Sequence, residues 1–246
     1  MSKSVIIIPS RLAATRLPNK PLLKINNKTI VMHVYDRAIK SNIGEVYVAT
    51  SDSEIYEEVI KNNGKCIITN SSHKTGTDRI AEALNKIKEE DIEYVVNLQG
   101  DEPMIDIEDI NNLNKQAKKI KSKIATLACP IKEPSFYKKE SIVKVITKNE
   151  IDYNKSSKAQ NFFRTISKED YPNIYHHIGI YIFQKEILNQ YVSLEQSQEE
   201  KKKKLEQIRA LDNNIEIDVI LAKSSPLGVD TQEDYIEIKK LMEYKV

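Results

Sequence analysis

Residues 5–21 read VIIIPSRLAATRLPNKP. The four apolar residues 5–8 stop at Pro9, and the next twelve positions hold two arginines, a lysine, two prolines and no acid. A short apolar run bounded by proline reads as a strand covered on both faces, the signature of a parallel sheet. Runs of the same kind recur at 45–50 (EVYVAT), 65–69 (KCIIT), 94–98 (YVVNL) and 124–129 (IATLAC). Between them Ile30, Val34 and Ala38, Ile55 and Val59, Ile80, Leu84 and Ile87, and Ile110, Leu113, Ala117 and Ile120 follow helical spacing. The alternation predicts βαβ units in a mainly parallel sheet flanked by helices, an α/β fold. Ligands of such sheets bind outside the carboxyl ends of the strands, so the loops after strands are where function is sought.

Beyond about residue 130 the rhythm changes. SIVKVIT (141–147), AQNFF (159–163) and HIGIYIF (177–183) read as strands without helices between them, an antiparallel excursion at about 130–183. IEIDVILA (215–222) then reads as a strand and 231–244 as a helix capped by Thr231, with Asp234 completing the cap. No linker or repeat divides the chain, which predicts a single domain over 1–246. Lys201–Lys204 read as the solvated face of a helix running on into LEQIRAL. Gly44 and Gly64 read as glycines closing helices.

Composition excludes several classes. A net charge of +2 offers no broad surface for nucleic acid or membrane, so any basic site is local. The apolar start is four residues long, against roughly 7–15 for a secretory segment and about 20 for a membrane span. Cys66 and Cys129 sit in apolar runs and read as buried reduced thiols, in keeping with a cytoplasmic protein; a disulfide or metal site is the weaker alternative.

Neither G-x-x-x-x-G-K-[ST] nor G-x-G-x-x-G occurs, which leaves phosphate binding to side chains. Arg11, Arg16 and Lys20, on a loop stiffened by Pro18 and Pro21, are suited to a polyphosphate; the alternative is a solvated basic loop. In NLQGDEP (97–103) Asp101 follows a buried strand at a glycine turn, and Asp230 in LGVDT precedes a helix. Paired carboxylates suit Mg²⁺, which takes a few carboxylates, waters and substrate phosphates, while Asp230 reads equally as an N-cap. A histidine inside a strand, such as His177, is by itself most often structural, and the four histidines lack metal-ligand spacing with the cysteines.

IIIPSRLAATRLPNKPL, HKTGTDRI, VVNLQGDEPMI, HIGIYIF, LEQIRAL and GVDTQEDY, in this order, resemble the 3-deoxy-manno-octulosonate (Kdo) cytidylyltransferases over nearly the whole chain. The resemblance implies a Rossmann-like sheet of the nucleotide-diphospho-sugar transferase type and the reaction of CTP with Kdo to give CMP-Kdo and pyrophosphate, for lipopolysaccharide synthesis. Arg11, Arg16 and Lys20 would hold the CTP phosphates, Arg11 and Lys20 acting in catalysis, and Gln99, Thr75 and Gly76 would line the cytidine pocket. Asp101 and Asp230 would hold Mg²⁺. His177, Tyr181, Glu206 and Gln207 would contact the sugar acid, with Arg164 as carboxylate partner, and a homodimer is implied. Departures from the family pattern are Phe163, where serine is usual before Arg164, and Thr75 in place of serine. A related acid sugar, 8-amino-Kdo or sialic-type, and a nucleotide-binding protein without turnover are the alternatives.

Overall fold

Strand β1 (Lys3–Pro9) buries every side chain from Ser4 to Ile8, as an apolar strand covered on both faces should. The computed structural model describes residues 3–13, 16–89, 91–167, 171–223, 225 and 227–244. Ala14 and Thr15 of the basic loop lie outside the described residues. A 3-10 turn at Lys20–Leu22 and the short ribbon of β2 (Lys24–Ile25) and β3 (Lys28–Thr29) lead into α1 (Ile30–Ser41). There follow β4 (Gly44–Thr50), α2 (Ser53–Lys61), β5 (Cys66–Ile68), α3 (Gly76–Lys86), β6 (Ile92–Asn97) and α4 (Ile107–Lys119). Next come β7 (Ile124–Pro130), β8 (Lys144–Thr147), β9 (Ser157–Phe163) and β10 (Ile174–Gln184). The chain continues through α5 (Lys185–Ser193), α6 (Gln198–Lys203), α7 (Ile208–Asp212), β11 (Ile217–Leu221) and α8 (Gln232–Glu243).

These elements fall into two compact units, Met1–Asn111 with Pro226–Val246, and Asn112–Ser225. In the first, strands run in the order β5-β4-β1-β6, all parallel. The expected helical positions Ile30, Val34, Ala38, Ile55, Val59, Ile80 and Leu84 are buried. Because the strands share one direction, the loops after β1, β4 and β6 emerge at the same edge of the sheet. The expected cap on α8 is present: Thr231 Oγ1 accepts from Asp234 N–H, while Asp234 accepts from the Thr231 and Asp230 amides.

The second unit is mainly antiparallel. Its order is β10-β7-β11-β9-β8, and β8 pairs with β10 as well, so five strands close on themselves. Only β7 and β11 run parallel. IATLAC, expected among the parallel core strands, is therefore the antiparallel neighbour of β10. Among the described residues between β7 and β10 no α-helix intervenes, as the excursion predicts.

Three local readings need correction. No glycine among the described residues has positive φ; after α1 the left-handed position is Asn42, and after α2 it is Asn63. Gly44 instead opens β4 where a Cβ would fall 1.8 Å from Ser4 O, so strand contact rather than helix closure demands glycine. The lysine run does not continue into LEQIRAL as one helix, because Lys204 is left-handed (φ 53) and separates α6 from α7. Ile87 and Ile120 lie just past the ends of α3 and α4, and Ile120 is exposed. Both cysteines are free; Cys129 is buried and Cys66 half-buried, its thiol pushed up to about 12 by burial.

Candidate active site

The loop after β1 is fastened at both ends. Ser10 N–H donates to Ala49 O, and Leu12 N–H donates to the Asp52 carboxylate at 2.8 Å. Further on Leu17 packs into a buried cluster with Ile25, Ile30, Val229 and Ile238, which ties this loop to α1 and α8. Asn19, left-handed, then turns the chain so that Lys20 opens the 3-10 turn with its side chain only 13% exposed.

The loop after β6 lies close against this one. A Cβ on Gly100 would come 3.0 Å from Pro9 O, so glycine lets the two backbones approach without one giving way. Arg37 of α1 donates to Pro103 O and Ile105 O, holding the far side of the same loop. Val229 N–H donates to Asp101 O at 2.9 Å, which clamps the segment before α8 beside the Gly-Asp turn.

The consequence is a convergence of three distant segments. Lys20 Nζ lies 2.7 Å from Asp101 Oδ2 and 3.3 Å from Asp230 Oδ1, and Arg16 reaches Asp230 Oδ1 at 3.1 Å. Asp230 does not cap α8; Thr231 does, which frees the Asp230 carboxylate to point at the cations. Both aspartates are partly open to solvent. Two carboxylates able to reach one cationic point, with room for further oxygens, fit a Mg²⁺ that completes its shell with water and phosphate. Asp101 and Asp230 are the residues here that could hold such an ion, and no group of three or more metal-capable side chains occurs among the described residues.

Other residues of the nucleotide assignment lie in this unit. Arg11 is exposed, and its charge adds to the effect of burial in lowering the buried Arg79 guanidinium. Thr75 caps α3 through the Asp78 amide, Gly76 begins that helix 3.2 Å from Pro9 as measured to a virtual Cβ, and Gln99 is half-buried after β6. Glu102, which follows Asp101 at the same glycine turn, is not among the site residues expected from sequence. Burial, then the charges of Asp101 and Asp230, push its carboxyl up to about 8, and its Oε2 is buried without a hydrogen-bond partner among the described residues. Its place beside Asp101 in QGDEP was the available signal.

The acid-sugar candidates lie in the second unit. His177 and Tyr181 stand on β10 with ring centroids 5.5 Å apart, and Phe162 meets His177 edge-on at 5.1 Å. Burial, with a smaller contribution from His176, lowers the His177 ring to about 3, so it is neutral. Tyr181 is raised by burial and by the nearby Glu206 charge. Glu206 and Gln207 occupy the turn between α6 and α7. That turn is held by a buried pair in which Arg209 donates to Glu200 at 2.9 and 2.7 Å, and by Tyr191, whose hydroxyl donates to Glu206 O. Arg164 is differently employed: its guanidinium donates to Lys203 O, Lys204 O and Glu140 O, closing the end of α6. The buried Lys144 donates to Arg164 O, Lys139 O and Ile142 O alongside it.

A sequence model of the cytidylyltransferase family matches residues 5–217. The 3-deoxy-manno-octulosonate cytidylyltransferase of Brucella anthropi is 40% identical over 94% of this chain and 93% of its own length, and that of Bartonella quintana 39% over 98% of each. A solved CMP:2-keto-3-deoxy-manno-octonic acid synthetase complexed with CTP covers all of both chains with TM-score 0.90 at 33% identity. A Leptospira borgpetersenii cytidylyltransferase, 19% identical, shares the fold with TM-score 0.67. An α/β sheet with these loops is thus that of a cytidylyltransferase. Within that class, the chain belongs to the 3-deoxy-manno-octulosonate cytidylyltransferase family.

Proposed function

We propose that this protein transfers the cytidylyl group of CTP to Kdo, forming CMP-Kdo and pyrophosphate for lipopolysaccharide synthesis. The observation that carries the reading is the meeting of Asp101 and Asp230 at Lys20 Nζ, supported by the full-length relatives. In the reaction the anomeric hydroxyl of the acid sugar releases its proton to solvent and its oxygen bonds to the α-phosphorus, the bond from that phosphorus to the bridging oxygen breaks, and pyrophosphate leaves with that electron pair. No side-chain nucleophile is needed; the chain orients two substrates and balances charge. Arg11, Arg16 and Lys20 compensate the leaving pyrophosphate, the Arg16 and Lys20 side chains donating to phosphate oxygens as well as to the aspartates. Asp101 and Asp230 would hold Mg²⁺, which when bound supplies Lewis-acid stabilisation of the phosphate charge. Thr75, Gly76 and Gln99 line the cytidine side, and His177, Tyr181, Glu206 and Gln207 take the sugar acid. The sheet is assigned to the Rossmann-like, nucleotide-diphospho-sugar transferase type, and the protein to the cytoplasm as a homodimer. Arg164 serves this reading as the brace of α6, since three carbonyls already engage its guanidinium.

The test is pyrophosphate release from CTP and Mg²⁺ with Kdo, 8-amino-Kdo, sialic acid and hexose 1-phosphates side by side. Kdo is expected to be the preferred acceptor, and Asp101→Asn to reduce release by about a hundredfold or more with unchanged circular dichroism. Turnover of none of the acid sugars, or activity in Asp101→Asn near that of the parent, refutes the assignment.

A further inference from the structure

The ladder between β7 and β10 carries an irregularity beside the acid-sugar candidates. Ile178 pairs with Leu127, but Tyr181 pairs with Thr126, so Gly179 and Ile180 have no residue opposite them. Such a bulge re-aims the side chains around it and leaves carbonyls outside the ladder. One side chain collects them. Thr126, fully buried, places Oγ1 3.1 Å from Ile178 O, 2.8 Å from Ile180 O and 3.0 Å from His177 Nε2.

A hydroxyl has one proton to give and two lone pairs to receive. The two carbonyls can only accept, so the Thr126 proton is directed at them. Were it turned to His177 instead, two carbonyl oxygens would face a lone pair at hydrogen-bond distance inside a dry core. His177 Nε2 must therefore be the donor. Its ring makes no other side-chain hydrogen bond among the described residues, which leaves the Nδ1 lone pair uncommitted.

We propose that Thr126 is a positioning residue that locks His177 as the Nε2–H tautomer, so that Nδ1 accepts a hydrogen bond from a hydroxyl of the acid sugar. This rests on the reading that His177 contacts the sugar. Thr126 itself does not touch substrate; it decides whether His177 presents an acceptor or a donor.

The experiment follows the histidine ring nitrogens by ¹⁵N–¹H correlation in the labelled full-length protein, with His177→Gln for assignment, and kinetics of Thr126→Val and Thr126→Ser. The parent ring is expected to show a protonated Nε2 and a bare Nδ1. Thr126→Val loses the fixed tautomer and raises KM for Kdo about tenfold, leaving KM for CTP within about twofold, whereas Thr126→Ser keeps both properties. A protonated Nδ1 in the parent overturns the proposal, as does an unchanged KM for Kdo in Thr126→Val or a serine variant no better than the valine one. If the parent does not turn over Kdo, the functional reading falls separately, and the ring spectrum still decides whether Thr126 sets the tautomer.

Discussion

Replacing Glu200 by methionine removes one half of a charge pair that water does not reach. Glu200 and Arg209 are 3% and 2% exposed, bonded twice, and the Arg209 guanidinium lies 4.9 Å from the Tyr191 ring centroid. Breaking a buried pair from one side leaves the other charge without its doubly bonded partner and costs about 3–5 kcal/mol. Glu200 also closes the capping box with Ser197, worth about 1 kcal/mol more. Against a total stability of about 5–15 kcal/mol, that is enough to move the urea midpoint of the second unit markedly. Arg209→Met should cost about 3–5 kcal/mol for the same reason, but Glu200→Met/Arg209→Met should lose little beyond the cap, because neither charge remains to be buried. The coupling energy from the cycle is then about 6 kcal/mol or more. Urea unfolding followed by circular dichroism at pH 7.5 measures all four proteins, and 1 M salt should leave the coupling almost unchanged, since screening acts on exposed charges. Single variants each costing under about 1 kcal/mol, or an additive double variant, would refute the claim that this pair holds the turn carrying Glu206 and Gln207.

Acid should weaken the second unit through its two strand histidines. Burial lowers His176 to about 4 and His177 to about 3, below the unfolded value of about 6.5, so the unfolded chain binds the protons first and stability is lost as pH falls from about 6.5. Each ring contributes about 2 kcal/mol of loss between pH 7.5 and 5; His177→Gln should remove about half of it in urea melts, and an unaltered pH slope would contradict the assignment. Leu17→Ala should cost about 2–3 kcal/mol by opening a void among Ile25, Ile30, Val229 and Ile238. Because Arg16 and Lys20 flank that anchor, KM for CTP should rise as well, measured by initial rates; an unchanged value would mean that the loop does not depend on its apolar foothold.

The parts of this molecule legible in its sequence are those encoded by local period. Val5–Ile8 announces a covered strand, Val34 and Ala38 a helix face, and Thr231 with Asp234 a cap, because each signal depends on neighbours within one turn or one pleat. The left-handed positions were harder to place: asparagine at 42 and 63 takes the conformation that the nearby glycines suggested, since its short amide tolerates it. Asp230 offered two readings from sequence, and only the position of the Thr231 hydroxyl separates them. Arg164 and Thr126 were opaque for a different reason. What an arginine or a hydroxyl does depends on partners 20 to 54 positions away, reached through strand register that no local pattern records. Thr126 did leave one trace, as a polar residue within the otherwise apolar IATLAC.

Lys20 and Asp230 stand 210 positions apart, and the backbone bond from Val229 to Asp101, together with the apolar cluster around Leu17, holds their meeting place together. During synthesis the ribosome must therefore deliver the whole second unit before the later carboxylate exists. The early sheet can form around β1, β4 and β6 before that carboxylate is made. The carboxylates of the proposed site therefore meet only after α8 has been made and its apolar residue Ile238 has packed with Leu17, Ile25, Ile30 and Val229.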